Sequence, residues 1–190
     1  HLKNFTTNAT AYTISGNIRF EEIPAVDKRD VTRLHKNRLK AYRGSDRHLL
    51  KSIIENKLKE EGFRLYTDMS TSMTREPRFE QNLNKNIKVF RSENAVSPGE
   101  KIGTYHVILK PRLEVHYTRE QSLENVYHDI SHAISWIEML GESLEVNVLG
   151  IVQNPSQMVV LGAMSKARIA GLLPYDYWPD KPISIAGPGR

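Results

Sequence analysis

Tyr105-His106-Val107-Ile108-Leu109-Lys110-Pro111-Arg112-Leu113-Glu114-Val115-His116-Tyr117 is the stretch on which the fold class turns. Two short runs rich in Val, Ile, Leu and Tyr flank Lys110-Pro111-Arg112, and each has the length and residue types of a strand. The pattern continues toward the C-terminus. Ser135-Trp136-Ile137-Glu138-Met139 and Leu144-Glu145-Val146-Asn147-Val148 flank Gly141-Glu142-Ser143 and read as a hairpin. Gly150 and Asn154-Pro155 bring another turn, and residues 158–163 form a further strand.

Working back toward the N-terminus, Ser97-Pro98-Gly99-Glu100 is a turn, and residues 87–90 and 63–66 are short strands. The polar stretch 67–86 between them reads as a long loop. Two helices precede it. Residues 27–42 place Val31, Leu34, Arg38 and Ala41/Tyr42 on one face, with Asp27 as the cap and Gly44 as the stop. Ser45 then caps a second helix whose buried stripe is Leu50, Ile53, Ile54 and Leu58, with Gly62 at the C′ position. Residues 12–20 read as a strand pair or one bent strand. The expectation is an α+β domain over residues 1–180, mostly antiparallel sheet with two helices in the N-terminal third, followed by an extended tail over 181–190.

Composition narrows the classes. The chain has 190 residues, 39% hydrophobic and 26% charged, which suits one domain with a sizeable core. No apolar run approaches the roughly 18 residues of a membrane span. No basic segment followed by an apolar one marks a signal peptide, and the start at His1 suggests a processed or N-terminally longer protein. With no Cys in the chain, disulfides, thiolate metal sites and Cys nucleophiles are excluded within it.

The net charge is +5, and it is localised. Residues 27–59 hold eleven Lys/Arg against four Asp/Glu, so the remainder is slightly acidic. Arg29, Arg33, Lys36, Lys40, Arg43, Arg47 and Lys51 recur at intervals of three or four, as the face of one continuous helix would have them; a break at Gly44-Ser45 would divide that face into two shorter patches. Lys36, Lys40, Arg43, Arg47 and Lys51 are the candidate binding face. The plain alternative is a solvated face with ion pairs of about 0–1 kcal/mol each. Only Tyr42 is interleaved with these cations, which counts against nucleic acid. Arg47 and His48 fall in the first turn of the second helix, where an anion is favoured; the competing reading has Arg47 pair a carboxylate and fix the helix to the sheet. A second candidate contact is the aromatic ridge Tyr175, Tyr177 and Trp178; its alternative is a segment packed across the sheet with Leu172, Leu173 and Tyr175 buried.

Signals for catalysis are sparse. His128-Asp129-Ile130-Ser131-His132 holds the one local His pair, without a His-Glu-x-x-His motif or a clear third ligand, so no metal site is assigned. No Gly-x-Ser-x-Gly elbow, Gly-rich phosphate loop or dinucleotide fingerprint is present, and no cofactor is expected. A hydrolase using scattered carboxylates or the His128/His132 pair remains an alternative. A nucleic-acid-binding protein is the other.

Several stretches together resemble one family. They are Asn37-Arg38-Leu39-Lys40-Ala41-Tyr42-Arg43-Gly44-Ser45, Arg47-His48-Leu49-Leu50, Leu58-Lys59-Glu60-Glu61-Gly62-Phe63, Gly141-Glu142-Ser143-Leu144-Glu145-Val146, Gly150, Asn154-Pro155, Gly162 and Arg168-Ile169-Ala170-Gly171-Leu172-Leu173-Pro174-Tyr175-Asp176-Tyr177. In order, these resemble the carboxypeptidase-regulatory-like envelope proteins of Bacteroidetes, in the region C-terminal to their CNA-B/transthyretin-like sandwich. The sandwich itself is absent here. The resemblance implies a periplasmic or outer-membrane-associated protein without carboxypeptidase activity. The expected function is therefore a non-catalytic binding or scaffolding module of the cell envelope. Its partner would be an envelope protein, in an outer-membrane complex for example, docked on the basic helix face.

Overall fold

The computed structural model describes residues 2–7, 12–16, 20, 24–68, 87–110, 112–122, 130–166 and 172–184. In chain order the elements are β1 (Leu2–Thr7), β2 (Tyr12–Gly16), α1 (Lys28–Tyr42), α2 (Asp46–Ile54), β3 (Phe63–Asp68), β4 (Ile87–Val89), β5 (Val96–Pro98), β6 (Thr104–Val107), β7 (Leu113–Gln121), β8 (His132–Met139), β9 (Leu144–Asn147) and β10 (Met158–Gly162). All the strand pairings among them are antiparallel. The chain is thus α+β, mostly antiparallel sheet, with both helices in its first third. Contacts divide it into two units, residues 1–35 with 182–190, and residues 36–181.

In the first unit β1 and β2 form a hairpin, with Phe5 opposite Ile14 and Thr7 opposite Tyr12. The strand at residues 12–16 therefore finds its partner upstream rather than within 12–20; Asn17, Ile18 and Arg19 lie outside the described residues. Asp27 caps α1 as its position requires, accepting from the Asp30 N–H at 2.7 Å. Ala25 donates to the Ser184 carbonyl at 2.8 Å. The remainder of the expected tail, with Gly187-Pro188-Gly189, falls outside the described residues.

The second unit contains two sheets. One runs β10-β8-β7-β3-β4 and the other β5-β6-β9. The hairpin expected across Gly141-Glu142-Ser143 does not form. Strand β8 already has β7 on one side and β10 on the other, so neither edge is left for β9. The chain leaves at residues 140–143 for the other sheet, where Leu144 pairs with Val107. A matching passage at residues 108–112 carries the chain from β6 to β7, so Lys110-Pro111-Arg112 also separates two sheets; Pro111 itself is outside the described residues. The long stretch 69–86 is outside them too.

The core lies between these layers. Leu49, Leu50 and Ile53 of α2 join Phe63 and Leu65 of β3, Val107 of β6, Leu113, Val115 and Tyr117 of β7, Ala133 and Ile137 of β8, and Leu144 and Val146 of β9. Ile54 and Leu58 pack against its edge. Ser45 caps α2, its hydroxyl accepting from the His48 N–H at 3.2 Å. The helix ends well before Gly62. Asn56 adopts φ 55°, and the N–H groups of Asn56 and Lys57 close back on Ile53 and Ser52 at 3.1 and 2.8 Å, satisfying carbonyls that a longer helix would have used. A further single turn follows, and it is closed by the same pair of bonds, from the Gly62 N–H to Lys59 and from the Phe63 N–H to Leu58.

His48 fixes the corner between the helices. Its Nδ1 accepts from the Gly44 N–H at 3.1 Å and its Nε2 faces Glu61 Oε2 at 3.1 Å. The rings of Tyr42, Phe63 and Tyr117 surround it. Burial, partly offset by Glu61, holds its pKa below the ordinary 6.5. Burial, with His116 and Arg64, lowers His132 in the same way. Between the lowered value and about 6.5 the unfolded chain binds more protons than the folded one, so stability falls as pH drops through that window. The urea midpoint is expected to stay level above about pH 7 and to decline below about pH 6.5. In His48→Gln the decline should be shallower. An equally steep decline in that variant would show that His48 is not its source.

Candidate functional site

The five cations of the expected face divide in the structure. Lys36, Lys40 and Arg43 are exposed at the end of α1, spaced so that they share one side of the helix. That side is opposite Arg38 and Tyr42, and Tyr42 is the buried residue of α1. None of the three takes part in an ion pair among the described residues. Lys51 is different, being paired with Glu55 on α2, which also receives Lys57 at 3.2 Å.

Arg47 leaves the face altogether. Its Nε donates to the Leu149 carbonyl at 3.1 Å and its Nη1 to Pro174 at 2.9 Å. Nη2 donates to Tyr175 at 3.2 Å and also to Tyr177. The guanidinium therefore clamps the segment around residues 174–177 and the turn after β9 onto α2. It fixes the helix to its surroundings through carbonyls rather than a carboxylate. The first-turn N–H groups of Arg47 and His48 are taken by Asp46 and Ser45, so no anion site is built there.

The turn after β9 is shaped for this contact. Asn147 Oδ1 accepts from the N–H groups of Leu149 and Ile151, both at 3.0 Å. Gly150, at φ 78°, lies directly on α2: a Cβ there would sit 2.2 Å from the Arg47 carbonyl oxygen and 2.9 Å from Lys51 N.

The clamp also redraws the aromatic ridge. Tyr177 is only 2% exposed, its ring meeting Tyr42 edge-on at 6.0 Å, so it belongs to the interior. Tyr175 and Trp178 remain on the surface at 57% and 41% exposure. Leu172 is exposed too, contrary to a segment buried through Leu172 and Tyr175. Trp178 has Lys181 above its ring at 5.7 Å, and Lys181 pairs with Asp176. Residues 167–171, the start of this cluster, lie outside the described residues.

The second face of the five-stranded sheet, turned away from the core, carries what the sequence reading missed. Glu114 and His116 on β7 are 3% and 1% exposed. His116 Nε2 lies 2.7 Å from Glu114 Oε1, and His116 Nδ1 lies 2.8 Å from His132 Nε2. Trp136 donates its indole N–H to Glu114 Oε2 at 3.1 Å. Glu114 and His116 are two apart on a strand, which places both on one face and was legible from spacing. The partnership with His132 depends on β7 pairing with β8 so that His116 faces Ile134, two residues from His132 on the same face, and no local pattern signals which strands pair. His128, the other half of the sequence pair, lies outside the described residues, as does Asp129.

Among the described residues no three His, Asp or Glu side chains converge on a metal position. A groove of about 520 Å³, where the chain passes between the sheets, is lined by Lys110, Arg112, Glu138 and Met139, away from the imidazoles. No helix among the described residues is long and apolar enough to cross a membrane. No family model, curated protein or solved structure matches the chain.

Proposed function

We propose that this chain is a non-catalytic docking module of a bacterial cell envelope, periplasmic or outer-membrane-associated, which engages an acidic protein surface through Lys36, Lys40 and Arg43. The observation that carries the reading is the exposure of these three cations, free of ion pairs among the described residues, on the side of α1 away from its buried Tyr42. Charges of this kind steer association and set its salt dependence more than they set final affinity. Tyr175 and Trp178 supply exposed aromatic surface of the type that anchors interfaces. The envelope setting comes from the sequence resemblance and stands or falls separately from the docking.

The test compares wild type with the triple variant Lys36→Glu, Lys40→Glu, Arg43→Glu, using immobilised poly-glutamate and a random DNA duplex as probes. Poly-glutamate binding is expected to weaken at least about tenfold at low salt and to lose most of its salt dependence. Equal binding by the variant rejects the docking face, and tighter, steeply salt-dependent binding to DNA favours the nucleic-acid reading instead.

A further inference from the structure

We propose that Glu114, His116 and His132 form a proton relay on the second face of the five-stranded sheet, with His132 Nδ1 as the atom through which a proton enters and leaves. The contacts give the relay its direction. Trp136 donates to Glu114 Oε2 at 3.1 Å, which favours the ionised carboxylate. Oε1 lies 2.7 Å from His116 Nε2, so that nitrogen carries the hydrogen. A neutral His116 then presents a lone pair at Nδ1, and the hydrogen in the 2.8 Å contact comes from His132 Nε2. His132 keeps its own lone pair at Nδ1. That nitrogen is where the ring can take up a further proton, against the opposing effects of burial and Arg64.

The proton balance is simple. A proton binds His132 Nδ1, and the Nε2 proton of the same ring crosses to His116 Nδ1. His116 is then an imidazolium that donates to Glu114 on one side and back to His132 Nε2 on the other. One N–H bond forms, one breaks and one re-forms, and no ring has to turn. The positive charge has moved from the half-buried ring to the buried one, beside the carboxylate that balances it.

Geometry separates this from a shared metal. The ring centroids are 5.0 Å apart while the facing nitrogens are 2.8 Å apart, so the two nitrogens meet nearly head-on. Two imidazoles on one zinc converge on a third point, and bonds of about 2.0–2.1 Å would put their nitrogens about 3.3 Å apart. Among the described residues, the charged and titratable groups facing the pair are Arg64 and Tyr66 from β3 and Glu114 from β7. Tyr66 packs on the His116 ring at 4.9 Å. Arg64 opposes His116 in the strand register, and its charge acts against protonation of His132. Arg112 lies above the Trp136 ring at 5.8 Å.

The experiment is an imidazole ¹⁵N titration of the wild-type protein from about pH 8 to about pH 5. His116 and His132 are expected to respond together, at one common midpoint, with uptake of a single proton. Separate midpoints, or a silent His116 beside a titrating His132, overturn the relay. In Glu114→Gln, close in shape, the common midpoint should fall by more than about half a pH unit, because the charge balancing the imidazolium is gone. An unchanged midpoint overturns the proposal. So does uptake of one equivalent of zinc that shifts both rings at constant pH, since the rings would then be ligands.

Discussion

Arg47→Ala is expected to lower the unfolding free energy by about 3 kcal/mol in a urea titration at neutral pH, since each hydrogen bond from a charged donor is worth about 1.5–3 kcal/mol and bonds from one group do not simply add. Four carbonyls accept from this one guanidinium: Leu149, Pro174, Tyr175 and Tyr177. The bonds tie α2 to two stretches far along the chain, at Leu149 and at residues 174–177, so their loss is felt at both. Lys is a poor substitute. A single ammonium cannot reach the fork of positions that a planar guanidinium spans, so Arg47→Lys should recover less than half of the lost stability. A local readout distinguishes the clamp from general damage. In Arg47→Ala, residues 172–181 should become cleavable by protease at denaturant concentrations where the sheets remain folded. Intact resistance of that segment would show that it is held by something else.

Gly150→Ala is expected to be comparably damaging, at about 3 kcal/mol, from a left-handed backbone cost of about 1–2 kcal/mol together with overpacking of about 1–3 kcal/mol. The added methyl group would overlap the Arg47 carbonyl oxygen at 2.2 Å, and neither that atom nor Lys51 N can move without shifting α2. Gly103 provides the control. It has nearly the same φ, 79°, but a Cβ there would meet only Val148 Cγ1, at an ordinary 3.5 Å. Gly103→Ala should therefore cost about 1 kcal/mol, from the backbone term alone. Thermal or urea unfolding of both variants measures the difference. Equal losses would mean that the packing of the β9 turn on α2 contributes nothing.

Local chemistry made parts of this fold readable. Ser45 announces the start of α2, and Asp27 the start of α1, because a cap is decided by a side chain and the N–H groups within three residues of it. The end of α2 was harder to read. Asn56, in the left-handed region, terminated the helix before the Gly that looked like its natural stop. The strands themselves were visible in Leu113-Glu114-Val115-His116-Tyr117 and Ser135-Trp136-Ile137-Glu138-Met139. Which strands pair was not, since Gly141-Glu142-Ser143 has the residues of a turn whether the chain returns to the same sheet or departs for another. Arg47 shows the same limit. Its spacing matches Lys40 and Arg43, but Gly44-Ser45 restarts the helix, and the new axis carries the side chain to carbonyls far away in sequence. The buried Glu114–His116 pair could be read from strand alternation; its continuation to His132 required the register.

The paired departures of the chain at residues 108–112 and 140–143 also bear on how the molecule assembles. Strands β7 and β8 form a stem, with Leu113 opposite Ile137 at the end where both departures begin. In the unfolded chain, joining Val107 to Leu144 means closing a long loop, at an entropic cost that grows with its length. Once the stem has zipped, those two residues emerge side by side and only the short connectors remain to be closed. The β6–β9 pairing thus inherits its alignment from the larger sheet and has little reason to form before the stem exists, whereas β5 and β6 already meet as a local hairpin.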